Sequence, residues 1–162
     1  MNSFLLMTAL RDRLTPALAG LPLPTRARRE RPRPEDVRLR PARILLGSLP
    51  AKSGEHDEYD APLVLIQAMS GHDKDDGFGH TVLALRLVVW NEDPEEAEND
   101  LHNLLALVRR SAMACRQQAL NGRYILTANE RGEFAPWARP DEQAPQFAEA
   151  YAMTHWNMQG NE

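Results

Sequence analysis

Two hydrophobic runs separated by a polar stretch dominate the middle of the chain. The first run, PLVLIQAM at 62–69, is rich in branched apolar residues and opens with a proline, which suits the first position of a strand. The second run, TVLALRLVVW at 81–90, is apolar on both faces except at Arg86, which predicts a strand in a sheet covered on both sides. The stretch between them, GHDKDDGFGH, has the glycines and aspartates of a turn, so we predict a hairpin with a long tip at 71–80.

A helical period follows in residues 93–120. Asp93 can cap the helix, Pro94 fits its first position, and Glu96 completes a capping box. Asn121-Gly122 is expected to end the helix, which at 1.5 Å per residue would be about 40 Å long. One face of it is apolar and predicts packing against a core; its members are Ala97, Leu101, Leu104, Leu105, Val108, Ala112, Cys115 and Ala119.

A second, shorter helix is predicted at 3–14. Asn2 or Ser3 can cap it, apolar residues recur at helical spacing, and Pro16 is expected to stop it.

The remaining elements read as strands. They lie at 42–50, at 123–129 and at 147–158, where large and small side chains alternate. The element order predicts an α+β fold, in which a mainly antiparallel sheet is packed by one long helix and a short N-terminal helix. The length of 162 residues favours one domain spanning 1–162.

Arginine and proline dominate residues 20–43, GLPLPTRARRERPRPEDVRLRPAR. Five prolines exclude a regular helix, so this segment is predicted to be extended. Residues 1–43 contain ten arginines and four acids, a balance of +6, which leaves −10 for the rest of a chain whose net charge is −4. Such a basic arm suits either nucleic acid or the acidic surface of a neighbouring subunit, through Arg26, Arg28, Arg29 and Arg31.

The composition also limits the location of the protein. No apolar run approaches the roughly 18 residues of a membrane span, and Arg11 and Asp12 interrupt the apolar N-terminal stretch too early for a signal peptide. We therefore expect synthesis and use in a cytoplasm, without a membrane partner.

The polar stretch at 71–80 is the strongest candidate for chemistry. It contains His72, Asp73, Lys74, Asp75, Asp76 and His80. Counted from Asp73, an EF-hand would need a glycine at the sixth position and a glutamate at the twelfth, but Phe78 and Ala84 stand there. His72 and His80 could still bind a transition metal, whereas a solvated turn needs no ligand.

Catalytic motifs are missing from the rest of the sequence. We find no serine or cysteine nucleophile beside a base and no phosphate-binding glycine loop, while the single cysteine, Cys115, falls on the apolar helix stripe. His102 is expected on the helix surface and His155 on a strand face as a structural histidine. The sequence thus predicts a protein without catalytic residues, metal site or cofactor.

The order of elements resembles the tail terminator, or tail-completion, proteins of long-tailed bacteriophages. The resemblance covers most of the chain, and its markers are Pro-Leu-Val at 62–64, Val-Val-Trp at 88–90, the acid-capped helix, Tyr-Ile-Leu at 124–126, Pro-Trp at 136–137 and the final strand with Trp156. The arm at 20–43 is longer than the family leads one to expect.

This resemblance implies a structural virion protein. It implies a hexameric ring of identical subunits, assembled in the host bacterial cytoplasm, that caps the head-proximal end of the tail tube and ends tube polymerisation. It further implies contacts with the tail tube protein and a neck or connector protein, and DNA passing through the channel without specific binding. The arginine arm and residues 72–76 would then contact other subunits or the tube.

Three alternatives remain open from the sequence. The first is another head–tail connector or neck protein, and the second is a nucleic-acid-binding module led by the arginine arm. The third is an enzyme that uses a metal ion held by His72 and His80.

Overall fold

The computed structural model of the chain describes residues 1–26, 35, 37–49, 61–75 and 77–159. In chain order, its elements are α1 (Ser3–Leu18), β1 (Leu23–Arg26), β2 (Val37–Arg40), β3 (Arg43–Leu46), β4 (Leu63–Asp73), β5 (Gly79–Trp90), α2 (Pro94–Met113), a 3-10 helix (Ala114–Arg116), β6 (Tyr124–Thr127), β7 (Trp137–Ala138) and β8 (Phe147–Met158).

Six of the strands form one sheet. Five of them lie in the order β3-β4-β5-β8-β6, and β7 also pairs with β8. β3 and β4 run parallel, whereas the other pairs are antiparallel. β1 and β2 form a separate antiparallel ribbon, so the described part of the 20–43 segment is extended. The predicted α+β fold with a mainly antiparallel sheet is confirmed.

Helix α1 begins as predicted but continues past its proline. The side chain of Asn2 accepts hydrogen bonds from the N–H groups of Phe4 and Leu5, as an N-cap should. The prediction that Pro16 stops the helix is wrong, since α1 reaches Leu18. Pro16 falls in the last turn, where only one hydrogen bond is lost, and burial of Leu14 and Leu18 holds that turn against the core.

Helix α2 is shorter than predicted. Asp93 caps it by accepting from the N–H of Glu95, but the N–H of Asp93 is bonded to the side chain of Asn91 and not to Glu96. The helix has 20 residues, a length of about 30 Å, and passes into the 3-10 helix well before Asn121. Its predicted apolar stripe is buried from Ala97 to Ala112.

Both helices pack on the same face of the sheet. The inward residues of β5 are Leu83, Leu85, Leu87 and Val89, and they join the buried residues of α1 and α2 in one core cluster. On β8 the inward positions opposite them are Ala148, Ala150 and Ala152. These small side chains let α2 approach β8 closely, which explains the small residues seen in the sequence alternation.

The opposite face of the sheet, called here the outer face, is only partly covered. Val82, Ala84, Arg86 and Val88 of β5 are half-buried, while their inward neighbours are fully buried. Tyr151 of β8 is 39% exposed. The expectation of a sheet covered on both sides is therefore wrong for most of β5; it holds at the start of β4, where the outward Leu63 and Leu65 are buried.

A buried hydrogen-bond pair locks β8 to β5 and gives a test of the core. The Thr154 hydroxyl donates to the carbonyl of Leu83 at 3.0 Å and accepts from the indole N–H of Trp156 at 2.8 Å, with both residues fully buried. Thr154→Val should lower the free energy of unfolding by about 1–3 kcal/mol, because it leaves the indole N–H unpaired. Urea denaturation measures the change. When Trp156 is already replaced by phenylalanine, Thr154→Val should lower the free energy of unfolding by less. An equal effect in both backgrounds would refute the coupling between Thr154 and Trp156.

Candidate functional site

One of the four arginines proposed as contacts in the arm lies in the described part of the chain. Arg26 is the last residue of β1, pairing with Val37, whereas Arg28, Arg29 and Arg31 lie outside the described residues. Their contacts with other subunits, with the tube or with nucleic acid stay a prediction.

The polar stretch at 71–80 is mostly strand and not a long tip. Gly71, His72 and Asp73 pair with Thr81, His80 and Gly79, so the ladder reaches Asp73 and Gly79 and the segment that connects the two strands is only 74–78. The N–H of Lys74 donates to the carbonyl of Phe78, and Gly77 has the positive φ of 82° that such a turn needs. The prediction of a ten-residue loop is wrong, because pairing with β5 extends the ladder through residues whose composition favours turns.

The N-terminal end of α1 clamps the base of this hairpin. The backbone nitrogen of Met1 binds a carboxylate oxygen of Asp73, and the hydroxyls of Ser3 and Thr81 lie 3.2 Å apart. Gly79 has no room for a side chain, since a β-carbon there would lie 2.6 Å from that of Met1. Asp73 therefore has a structural contact, while Lys74 and Asp75 are exposed on the turn and Asp76 lies outside the described residues.

Three histidines lie in a row across β4, β5 and β8. The ring centroids of His72 and His80 are 5.3 Å apart, and those of His80 and His155 are 5.4 Å apart. Nε2 of His80 lies 3.3 Å from Nδ1 of His155, and Nδ1 of His80 lies 2.7 Å from Oδ1 of Asn157. Burial, followed by the nearby His80, lowers the pKa of His155.

The sequence revealed only part of this histidine row. His72 and His80 were candidates because they flank the same turn, but His155 is 75 residues from His80 and reads as a structural histidine. The alternation of β8 does place His155 on the outer face. The register of β8 against β5, which the sequence does not give, is what shows that the rings of His80 and His155 meet.

An ion-paired arginine fastens β7 and the following loop to the start of α2. Both terminal nitrogens of Arg139 lie 2.8 Å from the carboxylate of Glu98, and its Nε donates to the carbonyl of Glu149 at 2.8 Å. The hydrogen bonds from Arg139 lower the pKa of Glu98. His102 is exposed on α2, and its ring meets that of Trp137 edge-on at 5.7 Å.

The single cysteine of the chain lies in the core. Cys115 is buried, burial raises the pKa of its thiol, and its sulfur lies 3.7 Å from the carbonyl of Ser111. Within residues 1–26, 37–49, 61–75 and 77–159, no three histidine, cysteine, aspartate or glutamate side chains form a metal-binding group. Neither helix of this part of the chain is long and apolar enough to cross a membrane.

Comparison with models of known protein families and with curated proteins gave no match to this chain.

The Glu98–Arg139 pair predicts a specific pH dependence of stability. Because the folded state lowers the pKa of Glu98 below its ordinary value of 4.5, the pair stabilises the fold above that pH and is lost as the pH falls through the lowered value. Glu98→Gln should thus cost about 0.2–1 kcal/mol at pH 7, the range for exposed ion pairs, and nothing in strong acid. Urea denaturation across pH measures this difference, which should vanish in an Arg139→Gln background; a difference that persists there would contradict the assignment.

Proposed function

We propose that this chain is a structural virion protein that forms a ring of identical subunits as a tail terminator of a long-tailed bacteriophage. In this role it caps the head-proximal end of the tail tube, ends tube polymerisation and joins the tail to the neck, without cofactor or catalysis. The half-open outer face of the sheet is the observation that carries the proposal. The resemblance in element order to tail terminator proteins is the reason for proposing a ring on the tail tube.

The outer face has the mixed character of a surface that another chain covers. Val82, Ala84, Val88 and Met153 are half-buried on it, and Tyr151 is exposed beside them. Arg86 lies among these apolar residues with its guanidinium on the carboxylate of Glu149, so the charge at the centre of the face is already paired. Apolar side chains that stay partly exposed beside polar ones are typical of interaction sites, and closed rings arise when one surface of a subunit packs on a different surface of the next.

The surface charge is compatible with a DNA channel. Glu92, Asp93, Glu95 and Glu96 are exposed at the start of α2, and the chain beyond residue 43 has a charge of −10. Acidic groups repel the phosphate backbone, so a ring built from such subunits would let DNA pass without retaining it.

Substitution of Met153 tests the outer face as the subunit contact. Met153→Glu should weaken assembly by more than about tenfold, because the contact would bury an unpaired carboxylate. Met153→Leu keeps the apolar surface and should assemble like the parent chain. Light scattering gives the mass of each variant, and negative-stain imaging with purified tail tubes shows whether tube ends are capped. A Met153→Glu chain that still forms rings and caps tubes would refute this contact.

The same tube experiment separates the proposed function from its alternatives. A terminator binds the ends of tail tubes, whereas a neck or connector protein binds the portal side and leaves tube ends bare. A nucleic-acid-binding module would bind DNA with an affinity that falls steeply with salt and is lost when Arg26, Arg28, Arg29 and Arg31 are neutralised. Parent chain that neither self-associates nor binds tubes contradicts the proposal.

The turn at 74–78 tests whether the hairpin contacts neighbouring subunits or the tube. Replacing those five residues with Asn-Gly, a two-residue turn suited to antiparallel strands, keeps the His72–His80 pair and the clamp at Asp73. We expect an unchanged melting temperature but reduced capping of tubes, because Lys74 and Asp75 are removed from the exposed end. Lys74→Gln alone removes one charge from the turn and should reduce capping less than the shortened variant does. Normal capping by the shortened variant would show that the turn does not contact neighbouring subunits or the tube.

A further inference from the structure

The protonation pattern of the histidine row follows from its hydrogen bonds. Oδ1 of Asn157 is an acceptor, so Nδ1 of His80 must carry its proton and donate at 2.7 Å. A neutral imidazole has only one N–H, and Nε2 of His80 therefore presents a lone pair. That lone pair faces Nδ1 of His155 at 3.3 Å on the half-buried outer face.

The separation of these two nitrogens suits a shared metal ion. At 3.3 Å the two nitrogens are within hydrogen-bond distance, so without an ion the Nδ1–H of His155 donates to the lone pair of His80. Two histidine nitrogens that each lie about 2.0–2.1 Å from a tetrahedral zinc ion are separated by about 3.3–3.4 Å. The distance between the two nitrogens thus already matches the spacing that a shared ion would require.

We propose that Nε2 of His80 and Nδ1 of His155 bind a divalent transition-metal ion of the zinc, nickel or copper class on the outer face. Asn157 positions the site by holding the Nδ1 proton of His80, the role that oxygen acceptors commonly have behind metal-binding histidines. His155 can bind the ion through Nδ1 when its ring proton is on Nε2. Water fills the remaining positions, so the site is open and exchangeable, in contrast to the closed sites of structural zinc.

The surroundings favour this class of ion over calcium or magnesium. The two ligands are imidazoles, which suit zinc, copper and nickel, whereas the hard cations prefer oxygen ligands. His72 lies on the other side of His80 and is not counted as a ligand, in agreement with the lack of a three-residue metal-binding group among the described residues.

This site is independent of the proposed ring, since both ligands come from one chain. It differs from the His72–His80 pair suggested by the sequence, because the nitrogens that face each other belong to β5 and β8.

Isothermal titration of the full chain with zinc chloride, nickel chloride and copper chloride at pH 7.5 tests the proposal. We expect one ion per chain, with an affinity reduced more than about tenfold in His80→Gln and in His155→Gln. Asn157→Leu should weaken binding about tenfold although it removes no ligand. His102→Gln, which changes an exposed histidine on α2, is the matched control and should bind as tightly as the parent chain. Circular dichroism verifies that each variant is folded.

Spectroscopy and pH give independent readouts. The copper-loaded chain should show two coupled nitrogen ligands in its electron paramagnetic resonance spectrum, and His155→Gln should reduce the number of coupled nitrogens. Binding should weaken from pH 7.5 to pH 5.5, because protons compete for the imidazole nitrogens. Absent binding, binding of equal strength in the His80 and His155 variants, or several weak ions per chain that His102→Gln also reduces, would each overturn the proposal.

Discussion

Packing of both helices on one face of a six-stranded sheet is the constraint on which the other features of this protein depend. The inward positions of β5 and β8 alternate with outward ones, so the inward face is made mostly of leucines, alanines and Trp156, whereas the charged residues and the histidines lie on the outward face. Since α1 and α2 both pack on the inward face, neither of these α-helices covers the outward face in the described part of the chain. Burial of the core and partial exposure of the outer face are two results of the same arrangement.

The helices also make contacts that hold the loops at the two ends of the sheet. At one end the start of α1 closes over Gly71, Gly79 and Thr81, which stiffens the base of the hairpin and leaves a short turn exposed. At the start of α2, Arg139 joins Glu98 to the backbone of β8, so that the loop containing β7 is held against the helix. A rigid scaffold with short exposed projections suits a protein that acts through shape.

Both the proposed subunit contact and the proposed metal site lie on the outer face, and neither depends on the other. Its half-buried apolar residues lie along the middle of β5 and β8, whereas the histidines lie at the hairpin end of the same strands. An ion bound there would add positive charge beside a surface that we propose to be a subunit contact. The two sites are nevertheless tested by different substitutions, because Met153 is not a ligand and His80 is not part of the apolar stripe.

The sequence alone determined the elements whose signals are local. The cap at Asn2, the apolar stripe of α2, the strands that begin near Leu63 and Tyr124, and the alternation of β8 all follow from neighbouring residues along the chain. Only the tertiary structure decided the continuation of α1 past Pro16, the parallel pairing of β3 with β4 and the extension of the hairpin to Asp73. It also decided the meeting of His80 with His155, because strand register is fixed by core packing between residues far apart in the chain, and no local pattern encodes which nitrogen will face which.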